Sequence, residues 1–226
     1  MTRVHRFNRL PHLKSWLPLT IFGLILALVA GLVGNNAGLL ASEFEINKNL
    51  NSAGNGFLNE LAKFASEMYS PKFAVILTAV CMLLIWLFGK SRLDAVGFGA
   101  TVAMGWLPAE AFKIMFNEPR ASIAGLANQI MPQEIDSSFP SGHVCFALGF
   151  GFAVYFLARN SRFRVAALVF WIVSVLVEAW ARLYVGAHYL SDEIGSVFTT
   201  AVGILVLSYL WNKWISQKLQ STKFFA

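Results

Sequence analysis

Charge is scarce in this sequence. Only 13% of its 226 residues are Asp, Glu, Lys or Arg, against 57% that are hydrophobic. A water-soluble domain of this length has no core large enough to hide so much apolar surface, so a soluble globular fold is excluded and a bilayer is the expected solvent. Cysteine is scarcer still: Cys81 and Cys145 both lie inside apolar runs. That excludes a disulfide framework and a cysteine metal site, and reads both thiols as small buried hydrophobes. Acidic residues number 12 against 18 Lys and Arg, a formal net charge of +6. The basic residues sit in short clusters between apolar runs, a pattern that encodes membrane topology, so a nucleic-acid partner is not expected. There is no internal repeat, no low-complexity tract and no Asp/Glu cluster suited to Mg²⁺, so neither a metal nor another cofactor is expected.

What is present is a series of apolar stretches, each long enough or nearly so to cross about 30 Å of hydrocarbon. They fall at residues 16–36, 72–89, 94–115, 142–158, 165–183 and 194–212. The first follows Arg3, Arg6, Arg9 and Lys14, as a signal peptide would, but its apolar run exceeds the usual h-region of about 7–15 residues and reads as a helix. Lys90 and Arg92 follow the second stretch, Arg159, Arg162 and Arg164 the fourth, and Lys213, Lys218 and Lys223 the last. With six spans, all these clusters and the basic N-terminus of residues 1–15 share one side, which the positive-inside rule makes cytoplasmic. The other loops hold Glu43, Glu45, Glu60, Glu67, Glu118, Glu134 and Asp136. The expected fold is therefore all-α: one domain, a bundle of six transmembrane helices with both termini cytoplasmic.

Between the first two stretches, Leu58, Leu61, Ala62, Ala65, Met68 and Tyr69 recur at helical spacing opposite Asn59, Glu60, Lys63 and Glu67. This predicts an amphipathic helix, either packed on the bundle or lying in the outer interface. The Asn51–Gly56 run before it reads as a turn or loop.

Titratable residues beside apolar spans are costly, and three groups of them fall at the outer face. In Lys113-Ile-Met-Phe-Asn-Glu-Pro-Arg120, a point charge and a planar fork suit a tetrahedral oxyanion, although lysine at a span end can also simply snorkel. In Ser138-Phe-Pro-Ser-Gly-His143, Pro140 sets an extended entry and Ser141 is a candidate N-cap. Gly142 admits a ligand close to the backbone, and free helix amides favour an anion beside His143. The same Pro-Ser-Gly run is also a common turn. In Arg182-Leu-Tyr-Val-Gly-Ala-His188-Tyr-Leu-Ser-Asp192, His188 and Asp192 are four apart and on a helix would share a face. A carboxylate on one ring nitrogen would fix the tautomer and leave the other nitrogen free to attack. Glu178, four before Arg182, reads as the arginine's structural partner.

These groups resemble the signature of the type 2 phosphatidic acid phosphatase family, roughly Lys-x6-Arg-Pro, Pro-Ser-Gly-His and Ser-Arg-x5-His-x3-Asp. Here they read Lys113-x6-Arg120-Ala121, Pro140-Ser-Gly-His143 and Ala181-Arg182-x5-His188-x3-Asp192, and the resemblance covers about residues 55–205. Ala121 and Ala181 depart from the pattern but remove no histidine or charge. The resemblance implies that His188 is a phosphorylated nucleophile, Asp192 its orienting partner and His143 the general acid. Lys113, Arg120 and Arg182 would clamp the phosphate, with Ser141 and Gly142 near it.

It also implies a lipid phosphate substrate at the extracytoplasmic face of a bacterial plasma membrane. Undecaprenyl diphosphate is favoured over phosphatidylglycerophosphate or phosphatidic acid. No protein partner is implied beyond membrane lipids. A phosphotransferase, in which a second lipid resolves the phosphoenzyme, remains a rival. A non-catalytic scaffold or transporter is disfavoured by the intact His143, His188 and Asp192.

Overall fold

The computed structural model describes residues 6–11, 13–89 and 91–222. Arg3, Lys90 and Lys223, three of the expected topology-setting charges, lie outside the described residues. All regular structure among the described residues is helical. The helices are α1 (Trp16–Gly34), α2 (Ala37–Ser52), α3 (Gly56–Met68), α4 (Pro71–Gly89), α5 (Arg92–Trp106), α6 (Pro108–Phe116), α7 (Gly142–Ala158), α8 (Arg164–Tyr184) and α9 (Leu190–Leu210). A π turn, Trp211–Ile215, continues α9 into a short α10, Ser216–Gln220.

Four helical segments are long and apolar enough to cross a membrane: Trp16–Gly34, Pro71–Gly89, Arg164–Tyr184 and Leu190–Gln220. The apolar α7, Gly142–Ala158, is shorter. The expected span 94–115 is not one helix. Pro108 has no amide to continue α5 and fits the first position of a new helix, so α6 starts there and stops at Asn117, whose φ of 43° is left-handed. The segment between the first two long helices holds two helices rather than one. The second of them, α3, has Ala62, Ala65 and Ser66 buried, packs on α8, and leaves Phe57 and Phe64 exposed.

Large side chains such as Val75, Val80, Leu87 and Phe88 on α4, and Val165, Val169 and Leu176 on α8, face outward. That inverts the soluble pattern and suits a hydrocarbon surround. Inside, α1 runs along α9, and α7 packs between α5 and α8. The core is a column of aromatics in which Phe98 and Phe146 meet Phe150, and Phe7 meets Phe156, edge to face or tilted, with Trp211 buried in the same cluster. α5 and α7 cross where glycines meet: a Cβ on Gly105 would come 2.7 Å from the Gly149 Cα. Small residues let helix backbones touch there, and Thr200 of α9 adds a 2.9 Å bond to the Gly105 carbonyl.

The two ends of the bundle differ in chemistry. At one end the N-terminal segment tucks into the bundle, which its basic composition did not announce. Phe7 and Leu10 are buried, the Phe7 amide donates to Asp94 at 2.6 Å, and Trp211 donates to the Phe7 carbonyl. The described basic residues Arg92, Arg159, Arg164 and Lys213 belong to helix ends at this side. The other end gathers the C-termini of α6 and α8, the N-termini of α7 and α9, and the long loop 117–141, which carry all three motif groups.

Candidate active site

The Arg182-to-Asp192 spacing follows from how one helix stops and the next begins. Arg182 is the third-last residue of α8. Gly186, at φ 71°, takes the left-handed position, its amide bonds to Leu183 O, and the Ala187 amide bonds to Arg182 O at 3.0 Å. That is a Schellman stop, and only glycine holds its φ without strain. Two residues later Tyr189 caps α9, and its amide donates at 2.9 Å to Asp192 Oδ2, at the third helical position. His188 is thus pinned between a helix stop and a helix start. Its Nδ1 lies 3.1 Å from Asp192 Oδ2, which also accepts from the Ser138 hydroxyl at 2.6 Å. The pair meets through the cap of α9 rather than along one helix face, because His188 precedes the helix.

The other His188 nitrogen, Nε2, lies 3.1 Å from Arg120 Nη1. A guanidinium only donates, so Nε2 bears the lone pair and Nδ1 the proton. Burial, followed by the charges of Arg120, Arg182 and Lys113, holds His188 well below the usual histidine range. The ring is neutral at physiological pH, with its basic nitrogen aimed at the cations.

His188, His143, Gly142, Lys113, Arg120 and Arg182 line one cavity of about 800 Å³. Its outer wall includes Tyr69, Trp106, Met131 and Ile135. Ser141 is fully buried and outside that lining. It caps α7 through a long 3.5 Å bond from the Val144 amide, and its carbonyl accepts from Ser196. Asp192, also fully buried, stands behind His188. Sequence order therefore brings the expected residues together, with Ser141 and Asp192 in supporting positions.

The three cations are occupied by the protein's own carboxylates. Lys113 Nζ lies 2.5 Å from Asp136 Oδ2 and from Ser137 O. Arg120 reaches Asp136 Oδ1 at 2.7 Å and Glu134 Oε2 at 2.8 Å, and also donates to Ala187 O. Arg182 pairs with the other Glu134 oxygen. Burial works upward on Asp136, but bonds and charges from Lys113 and Arg120 outweigh it and hold its carboxyl below the usual range. Two carboxylates bridging three cations reproduce the charge and oxygen array of a phosphate group. The expected Glu178–Arg182 pair is not formed. Glu178 is buried and its oxygens meet no donor among the described residues, because the guanidinium turns toward the loop and takes Glu134 instead.

Sequence reasoning also missed the support of this site. On α2, Glu43, Asn47 and Asn51 are buried and face the α8–α9 turn. Glu43 accepts from the Ser191 amide and hydroxyl at 3.0 and 2.8 Å, Asn47 donates to the His188 carbonyl at 2.8 Å, and Asn51 donates to Tyr184 O and Asn128 O. Their four-residue spacing was the available signal: a polar stripe on one helical face.

A polytopic helical bundle with a buried histidine, a half-buried second one and a ring of three cations at one end defines a membrane enzyme that handles phosphate. Comparison with known proteins agrees. Residues 94–216 match the model of the PAP2 superfamily. The chain is 30% identical over 158 residues to undecaprenyl-diphosphatase BcrC of Bacillus subtilis, covering 69% of this chain and 76% of that one. It is 25% identical over 159 residues to the putative undecaprenyl-diphosphatase YbjG of Escherichia coli, covering 68% and 78%. Its fold superposes on the crystal structure of a transmembrane PAP2-type phosphatidylglycerolphosphate phosphatase from Bacillus subtilis. There the TM-score is 0.67 at 19% identity, over 93% of this chain and all of that one. The chain belongs to the PAP2 superfamily, as its motifs implied, and is a membrane phosphatase of that family.

Proposed function

We propose that the protein removes a phosphate from a membrane lipid through a phosphohistidine on His188. The observation that carries this reading is the His188 ring itself: Asp192 bonded to Nδ1, and Nε2 directed into the ring of Lys113, Arg120 and Arg182. In the reaction Nε2 attacks phosphorus and the bond to the leaving oxygen breaks. His143, on the same cavity and charged by a proton taken up with the anionic phosphate, gives that oxygen its proton. Asp192 stabilises the imidazolium formed at His188. Water, giving its proton back to His143, then cleaves the P–N bond and releases phosphate. The three cations neutralise the equatorial oxygens, which is most of what phosphoryl transfer demands of a protein, so no metal is invoked.

Undecaprenyl diphosphate is the proposed substrate, on the strength of the named relatives. The proposed topology has six crossings, by α1, α4, α5 with α6, α7, α8 and α9. The basic end is cytoplasmic and the site extracytoplasmic in a bacterial plasma membrane, as the charge separation favours.

The test is phosphate release by purified protein from undecaprenyl diphosphate, phosphatidylglycerophosphate and phosphatidic acid, with and without chelator. It is paired with an acid-sparing quench after reaction with a radiolabelled aryl phosphate. Wild type should hold acid-labile phosphohistidine, His188→Ala none, and His143→Ala a slowly formed label, because a good leaving group needs no proton. Label in His188→Ala but not in His143→Ala would reverse the two roles. Label in neither, nor in wild type, would point to direct attack by water.

A further inference from the structure

Glu118 lies in the loop that carries Arg120, yet its side chain is 1% exposed. Neither of its carboxyl oxygens meets a donor among the described residues. Its carboxyl is in hydrogen-bond contact with that of Asp192, whose Oδ1 has no donor either. Two ionised carboxylates cannot share a buried contact, whereas an acid and a carboxylate form a strong O–H···O⁻ bond. One proton shared between the two carboxyls therefore gives Asp192 Oδ1 its donor and one Glu118 oxygen its partner.

The surroundings say which carboxyl holds it. Asp192 Oδ2 already takes the Ser138 hydroxyl and the Tyr189 amide and faces His188 Nδ1, so of the two carboxyls its anion is the better stabilised. Glu118 has no such donor. Facing it are Glu43 from α2, Asp192 from α9, the Tyr189 side chain and Arg120 from its own loop. The end of α1 closes the remaining side, where a Cβ on Gly34 would come 3.1 Å from Glu118 Oε2. Arg120, the one cation among these, is directed to Glu134, Asp136 and Ala187.

We infer that Glu118 is a neutral carboxylic acid that donates its proton to Asp192 Oδ1, making it a positioning residue for the His188–Asp192 pair. The inference rests on His188 being the nucleophile. Burial, followed by the charge of Asp192, pushes the Glu118 carboxyl up to about 9. With both Asp192 oxygens bonded, the carboxylate is fixed in place and is a weaker base. It steadies the imidazolium at His188 without removing its proton. Once Glu118 ionises at alkaline pH, it repels Asp192 and the pair loosens.

Two measurements test this. The first needs no turnover: infrared difference spectroscopy of the purified full chain, wild type minus Glu118→Gln, at pH 7. A protonated-carboxyl band lost in Glu118→Gln supports the inference, and its absence overturns it. The second is the pH profile of kcat on a lipid diphosphate. An amide at 118 can donate but cannot ionise, so Glu118→Gln should keep kcat within about threefold at neutral pH and move the alkaline limb up by about one unit or more. Glu118→Leu removes the donor and should lower kcat about tenfold with KM within about twofold. An alkaline limb unmoved in Glu118→Gln, or wild-type kcat in Glu118→Leu, overturns the inference. A wild type that releases no phosphate from any lipid refutes the phosphatase reading instead, and the infrared band still decides the state of Glu118.

Discussion

Asn47 touches no cation of the site and contributes no proton, yet its replacement should slow the reaction. It is fully buried, and its Nδ2 donates at 2.8 Å to the carbonyl of His188, the residue that must hold its ring still. Asn47→Leu keeps the volume roughly constant and removes the donor, leaving the His188 carbonyl buried and unpaired. Such an orphan costs about 1–3 kcal/mol. The same change removes Asn47 Oδ1, which itself has no donor among the described residues, so the two terms offset each other in global stability. The thermal midpoint should therefore move by only about 2–4 °C. The local cost remains at the turn that aims Nε2, and if all of it reached the transition state, kcat would fall about 5- to 150-fold. A loss of about tenfold, with KM within about twofold, is the expected result from steady-state phosphate release. An unchanged kcat, or a loss confined to KM, would refute the claim that α2 positions the nucleophile.

Asp136→Asn removes a carboxylate that competes with phosphate for Lys113 and Arg120. KM for lipid phosphate and the inhibition constant of inorganic phosphate should both fall several-fold, whereas a rise in KM would mean that Asp136 builds the clamp. Arg182→Lys keeps the charge but loses the planar fork, so turnover should drop substantially; wild-type kinetics would assign Arg182 to structure alone. Because His188 titrates well below the usual histidine range, it stays deprotonated through neutral pH and loses its lone pair only as pH falls through that lowered value. The acid limb of kcat that disappears with His188 chemistry should therefore lie below pH 6.5, and a limb above that value would refute the neutral-ring assignment. In a variant lacking Cys81 and Cys145, a cysteine at the fully exposed Ile135 should react with impermeant thiol reagents in intact cells, and one at Asn160 should not. The reverse order would place the site on the cytoplasmic side.

The sequence by itself determined the solvent, the helical class and the chemistry of the cavity. Apolar runs with few charges leave a bilayer as the only medium that accepts them, and in a bilayer a helix satisfies its own backbone. The Arg182-x5-His188-x3-Asp192 spacing was legible because its geometry is local: a glycine helix stop, a cap and a third-position carboxylate fix the distances over eleven residues, whatever else the chain does. Tertiary structure decided the rest. A polar stripe such as Glu43-Asn47-Asn51 reads as a wet face until docking shows it turned inward onto backbone groups 133 to 148 positions away. Glu178 is four residues from Arg182, and helical spacing favours that pair. A guanidinium on a long stem can instead reach a loop carboxylate 48 residues earlier, and here it does. Glu118 looked like one more acid in an outer loop. Only the packing of that loop between α1, α2 and α9 buries it against Asp192. Burial, which no local spacing encodes, is what turns a surface charge into a group that must share a proton.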